Sequence, residues 1–312
     1  MTATADAVLL IAFGGPTRSE EIRPFLANVV RGREHRIPAE RIEEVVHHYE
    51  MIGGRSPLNE ITLRQAARLE TALATDGPPL PVFVGMRNWA PYLADTLARM
   101  AETGVQRAIG VILAPHAVEA SRERYIETID AARAALGTRA PAIRYVAPWY
   151  AHPLFITAVA DAVVAALVTI PTTRRAGAPL IFTAHSVPVA MASRSPYVEQ
   201  LTVSARAVAE RLGRARWQVA FQSRSGSPHE PWLEPDVKGA LRALAAGGAE
   251  DAVVVPVGFV CDHVEVLYDL DVEARATARE LGLGFVRAST VNDHPLFIRM
   301  LAELVRTAVA EG

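Results

Sequence analysis

A single cysteine, Cys261, stands in a chain of 312 residues. One thiol closes no internal disulfide and leaves the redox compartment unconstrained. It also argues against a cysteine-ligated iron–sulfur cluster or a thiolate zinc site. Long hydrophobic runs are missing too. Half of the residues are hydrophobic, yet no stretch approaches the roughly 18 unbroken apolar residues of a transmembrane helix. The first residues, Met1 to Asp6, carry no basic segment, and the apolar run behind them is short for a secretion signal. No basic stripe and no acidic tail interrupt the mixture of charges, whose formal sum is -2, so nucleic acid is not suggested as a partner. These absences predict a soluble, cytoplasmic protein with no transmembrane segment. The Gly53-Gly54-Arg55-Ser56-Pro57 turn lacks the Lys-Ser/Thr ending of a P-loop, which removes a nucleotide reading.

What is present is alternation. Short apolar runs lie at Ala7–Phe13, Val82–Gly85, Arg107–Leu113, Ile143–Val146, Leu180–Ala184, Trp217–Phe221, Ala252–Val257 and Gly284–Arg287. Between them come amphipathic stretches such as Leu58–Ala74, Pro153–Leu167, Tyr197–Leu212 and Val264–Leu281. This order predicts an α/β fold with parallel sheets covered on both faces. Eight strands suit one barrel or two four-stranded sheets. A symmetry favours two halves: Phe13-Gly14-Gly15-Pro16 after the first strand matches His185-Ser186-Val187-Pro188 after the fifth, each a turn with proline before a helix. Two such sheets would face a cleft at the carboxyl ends of their strands.

The most informative stretch is Val257–Glu273. A buried strand empties into Asp262-His263-Val264-Glu265, and a helical pattern then carries Glu265, Asp269 and Glu273. Spacings of four residues put the three carboxylates on one helix face. Like charges in a row cost stability unless a cation or shared protons occupy them. The plainer reading is an acidic first turn matching the helix dipole, and it weakens for Glu273, two turns in. His185 sits where α/β enzymes keep a base; a histidine that merely caps the strand is the alternative. His116 closes the third strand and is a second candidate for the cleft wall. Arg31, Arg33 and the Met86-Arg87 step offer cations for carboxylates. Phe13, Trp89, Tyr125, Trp217 and Trp232 lie near strand ends. Such aromatics are ordinarily core, but converging on one cleft they would suit a flat apolar ligand. His47 and His48 read as surface or core-edge residues, and His152, His229 and His294 as turn residues beside proline.

Together these residues resemble the ferrochelatase family, whose members insert ferrous iron into a porphyrin. The resemblance covers nearly the whole chain. It rests on Leu10–Pro16, Tyr49–Glu60, Gly85-Met86-Arg87, Thr183-Ala-His-Ser-Val-Pro188, Trp217–Ser223, Pro231-Trp-Leu233 and Gly258–Glu273. It implies two Rossmann-like halves of class II chelatase type, each a four-stranded parallel sheet flanked by helices, with the porphyrin between them. The halves would be residues 1–150 with 295–312, and residues 151–294, the last helix (Pro295–Val309) packing back on the first half. His185 is implied to bind iron or accept a pyrrole proton, with Glu265 its partner across the cleft, over the opposite face of the macrocycle. Asp269 and Glu273 extend the metal set as a ladder, with an outer site for a regulatory divalent cation. Porphyrin contacts are implied for Phe13, Arg31, Arg33, Ser56, Met86, His116, Tyr125, Trp232 and His263. Iron is substrate, no cofactor is tightly bound, and any partners of the haem pathway would be transient.

Departures from the family narrow this. Phe13 stands where one coproporphyrin-using branch carries a tyrosine able to touch the product's metal. Trp232-Leu-Glu-Pro235 replaces Trp-Leu-Gly-Pro. No cysteine-rich extension follows the last helix, so the cluster of the animal enzymes is not expected. Ile37–Val46, the membrane-facing lip in those enzymes, is largely charged here. Coproporphyrin III is therefore the favoured substrate, with protoporphyrin IX the alternative and a non-catalytic porphyrin or haem carrier the more distant one.

Overall fold

Strand β1 (Ala7–Ala12) is buried at every position, which is what a central parallel strand covered on both faces demands. The computed structural model describes residues 5–32, 37–75, 79–225 and 229–311. In it β1 is flanked by β2 (Val82–Met86) and β3 (Arg107–Ile112), and β4 (Ala142–Tyr145) lies outside β3. The second sheet holds β5 (Leu180–His185), β6 (Trp217–Gln222), β7 (Asp251–Val255) and β8 (Gly284–Arg287). The sheet orders are β2-β1-β3-β4 and β6-β5-β7-β8, with every pairing parallel. The barrel alternative is thus closed, and the chain is two Rossmann-like units of identical strand order.

The helices of the first unit are α1 (Ile22–Val30), α2 (Ala39–Met51), α3 (Leu58–Thr75), α4 (Leu93–Glu102) and α5 (Glu123–Leu136), and α6 (Pro153–Leu167) follows them in the chain. After the short α7 (Thr172–Arg175) come α8 (Val189–Ala192), α9 (Tyr197–Arg211), α10 (Val237–Ala246), α11 (Val264–Leu267), α12 (Arg275–Glu280) and α13 (Pro295–Ala310). Helices α6 and α13 begin with the same four residues, His-Pro-Leu-Phe. In each the histidine accepts a hydrogen bond from a backbone N–H two residues on, His152 from Leu154 and His294 from Leu296, both at 3.3 Å, and proline fills the first helical position, where no donor is lost. The two helices trade places: α6 packs against β7, β8 and α9, while α13 packs against α3, β3 and α6. Arg144 and Arg306 fasten the last helix to the first unit, donating to Ala308 at 2.7 Å and to Ala72 at 2.8 Å. One apolar cluster therefore runs through both units, from Val8 and Leu10 to Phe182 and Val253.

A smaller cluster of Ile22, Phe25, Leu26, Val46 and Tyr49 joins α1 to α2, and Val264 of the second unit packs on it. On the same side His48 of α2 stacks on Tyr268, with ring centres 3.7 Å apart and planes 13° from parallel. The α1–α2 pair thus reaches across the cleft.

Candidate active site

In each sheet the chain reverses direction between its first and third strands, the switch point where open α/β sheets place their ligands. In the second unit that point lies between β5 and β7. His185 is the last residue of β5, and the loop after β7 runs beneath it. Gly258 makes this crossing feasible: a Cβ there would lie 2.4 Å from the Ala184 Cβ and 2.7 Å from its Cα. The Gly258 N–H donates to the Thr183 carbonyl at 2.9 Å. The loop then delivers His263, in extended backbone, as the cap of α11.

His185 and Glu265 are in contact, Nε2 to Oε1 at 3.3 Å, and His263 Nε2 reaches the other carboxylate oxygen at 3.4 Å. This corrects the expectation of two groups on opposite faces of a macrocycle. Both come from the second unit, where the adjacency of β5 and β7 brings them together. Tyr197 donates its hydroxyl to the His185 carbonyl at 2.9 Å, and His185 Nδ1 lies against the Ser186 carbonyl. That contact makes Nδ1 the N–H nitrogen and turns Nε2 to Glu265. Burial alone would lower the basicity of His185, but the Glu265 charge beside it, with Asp269 behind, raises its pKa to about 9. Burial conversely favours a neutral Glu265, and the two histidines override it, holding the carboxyl well below the usual range. Near neutrality the two side chains are an imidazolium–carboxylate pair.

The acidic ladder departs from a regular helix. Between α11 and α12, Asp269–Ala274 forms a π-helical segment, with the Glu273 N–H donating to the Tyr268 carbonyl at 3.0 Å. A spacing of four overshoots a 3.6-residue turn and undershoots a wider one, so the π segment returns the drift of the α turn before it. Such insertions recur at functional sites. Beside the ladder, Ser223 is held at φ +62°, a left-handed conformation costly for a residue with a Cβ, and donates its hydroxyl to Asp269. Gln222 donates to the Glu265 carbonyl oxygen at 2.6 Å. Burial, reinforced by the charges of Glu265 and Glu273, pushes Asp269 up to about 7, with the Ser223 bond opposing the rise. Glu273 opens outward and lies 3.7 Å from Lys238. Asp269, Glu273, Ser223, Trp232, Arg41 and Lys238 border a cavity of about 280 Å³ at this end of the row.

The four residues His185, Glu265, Asp269 and Glu273 therefore form a line and not a cage. Among the described residues no group of three or more His, Cys, Asp or Glu side chains is arranged to hold one metal ion. Asp269 takes the Ser223 hydroxyl on one carboxylate oxygen, and Glu273 faces Lys238.

The remaining predicted residues divide. Tyr125 and Tyr49 of the first unit are both buried, and burial pushes the pKa of each up, with the Glu265 charge adding to it at Tyr49. Phe13 and Trp232 are half-buried, Phe13 edge-on to Phe25 at 6.2 Å. Arg31 is exposed and bonds to Asn28; Arg33 lies outside the described residues. Three other expected contacts are buried. Met86 has no exposed surface, since it faces the core from β2. His116 is equally enclosed, its Nε2 at 2.9 Å from Ser204 Oγ and its pKa driven down to about 3 by burial. It ties the end of β3 to α9 and does not line the cleft. Ser56 is buried too, its Oγ accepting from the Leu58 N–H at 3.3 Å at the start of α3. Ser223, Gln222 and Tyr197 were missed. The first two sit in a segment the sequence already singled out, but only the fold shows what they touch.

The ferrochelatase family profile matches residues 5–309. The coproporphyrin III ferrochelatase of Nocardia farcinica is 45% identical over 309 residues, covering 96% of this chain and 87% of that protein. The coproporphyrin III ferrochelatase of Mycolicibacterium smegmatis is 43% identical over 303 residues, covering 96% and 88%. Among solved structures, the sirohydrochlorin chelatase SirB from Bacillus subtilis subspecies spizizenii, in complex with cobalt, superposes with a TM-score of 0.60. It is 13% identical and the match covers 98% of this chain and 95% of that one, a likeness of fold.

Proposed function

The chain belongs to the ferrochelatase family, and from that premise we propose that it inserts Fe²⁺ into coproporphyrin III, releasing two protons, at the His185–Glu265 pair. The observation that carries this reading is the pair itself, set at the switch point of the second sheet and backed by a carboxyl that titrates near neutrality.

Insertion has to deform a planar ring, remove two pyrrole protons and strip water from the ion. A cleft complementary to the deformed ring lowers that barrier with binding energy from the porphyrin's side chains. The pair already holds one proton, so it takes a pyrrole proton only after passing its own on. An approaching dication disfavours the imidazolium and drives that step. Asp269 is the acceptor at hand, and Glu273 leads from it to solvent. Asp269 thus acts as a general base in relay, matched to neutral pH. Phe13 offers no oxygen to the metal of the product, so the first unit contributes shape and charge. Arg31, exposed after α1, and Arg87, half-buried beside Tyr125 with its guanidinium carbon 6.0 Å from the ring centre, suit the carboxylates of a coproporphyrin. The working division is residues 1–150 with 295–312 for this wall and 151–294 for the reacting groups. A cytoplasmic location and transient haem-pathway partners complete the reading; no helix among the described residues is long and apolar enough to cross a membrane.

The test is anaerobic mixing of the protein with Fe²⁺ and either coproporphyrin III or protoporphyrin IX, followed by absorbance. Coproporphyrin III is expected to be metallated faster. His185→Ala and Glu265→Gln are expected to abolish insertion while porphyrin binding persists. Near wild-type turnover in either variant would overturn the assignment, and faster turnover of protoporphyrin IX would overturn the substrate.

A further inference from the structure

Arg287 ends β8 and is nearly enclosed, with 12% of its side chain exposed. Its Nε lies 2.9 and 3.0 Å from the two carboxylate oxygens of Asp271, and its Nη2 2.8 Å from one of them. Its Nη1 reaches Asp262 at 3.2 Å. These two aspartates bracket the catalytic segment: Asp262 stands just before His263 and Glu265, and Asp271 lies inside the π segment beside Asp269. Asp262 is fixed on its own side by the Thr290 hydroxyl at 3.0 Å and through its N–H by Asn292 at 3.0 Å. Asp271 also meets Arg275 at 3.2 Å, but Arg275 belongs to the same helix and cannot brace it against the sheet. We infer that Arg287 is a positioning residue that clamps both ends of the His263–Asp269 segment to β8 and so holds the ladder in its π register.

The physical reason is the fork of the guanidinium, which grips Asp271 through two nitrogens and still reaches Asp262; an ammonium has one point of attachment. Without that grip the segment relaxes toward α-helical bonding, and Asp269 and Glu273 turn out of line with Glu265. The inference rests on the iron-insertion reading for its kinetic consequence, though not for its structural one.

The experiment compares wild type with Arg287→Lys and, as a milder break, Asp271→Asn, which leaves the Asp262 contact in place. In Arg287→Lys, kcat for coproporphyrin metallation is expected to fall tenfold or more with KM for the porphyrin within twofold. Hydrogen exchange at the Glu273 amide is expected to accelerate. Asp271→Asn should shift both in the same direction by less. A folded Arg287→Lys protein with wild-type kcat and wild-type protection at Glu273 overturns the inference, whatever happens to its melting temperature. Should Arg287→Lys fail to fold, the same two readings on Asp271→Asn decide. If wild type inserts no iron, the functional reading fails, and the exchange at Glu273 still judges the clamp.

Discussion

Asp269→Asn should make the protein more stable and less active, and the gain in stability should depend on pH. Burial, then the charges of Glu265 and Glu273, carry this carboxyl from 3.8 to about 7. The folded state therefore binds the proton more tightly than the unfolded chain. The resulting penalty is absent below pH 3.8, grows as pH rises toward 7 and is complete above it. At full ionisation it amounts to about 4 kcal/mol, and at pH 5 to less than half of that. Asparagine keeps the shape and still accepts from the Ser223 hydroxyl, but carries no charge. Its advantage over aspartate should then be larger at pH 8 than at pH 5 by about 2–3 kcal/mol, or about 5 °C in Tm for a chain of this size. The assay is thermal unfolding of both proteins at the two pH values, with metallation rates alongside. Removing a positioned proton acceptor should lower kcat by about 10²-fold or more. Equal Tm differences at the two pH values would show that Asp269 carries no burial penalty, and a kcat within threefold of wild type would remove it from the relay.

Other expectations follow from the same geometry. Glu265→Gln removes the charge that outweighs burial at His185 and leaves only the Ser186 carbonyl and Asp269 to oppose it, so the His185 pKa should fall well below about 9; a histidine NMR titration that still centres near 9 would refute the pairing. Ser223→Ala deletes the donor that restrains Asp269, so the acidic limb of the pH–rate profile should move to higher pH, and an unmoved limb would count against the relay. Gly258→Ala forces a Cβ into Ala184 and should cost about 1–3 kcal/mol, with loss of turnover as the end of β5 shifts; urea denaturation with an unchanged midpoint would contradict the crossing described here.

Much of the architecture was legible in the chain because its causes are local. Runs such as Leu180–Ala184 and Ala252–Val257 are apolar, β-branched and bounded by turn residues, so each strand lies within two residues of its expected span. The matched turns after the first and fifth strands anticipated the repeat of strand order. The spacing of Glu265, Asp269 and Glu273 suggested one helical face. It did not reveal the π segment, because i and i+4 neighbours look alike in either helix. His116 and Met86 were misread for a related reason. A strand end beside the cleft and a strand end turned into the core carry the same residues in sequence, and only the packing of α9 and the sheet tells them apart.

Composition and periodicity alone determined that this is an α/β chain of parallel strands with its titratable groups gathered after the fifth and seventh. The family resemblance named the chemistry. The tertiary structure decided that those groups meet, because adjacency of β5 and β7 is a property of sheet order and not of distance along the chain. It also decided their charge. Whether a histidine holds its proton to about 9 or a carboxyl to about 7 depends on what burial removes and which charges the fold brings within reach.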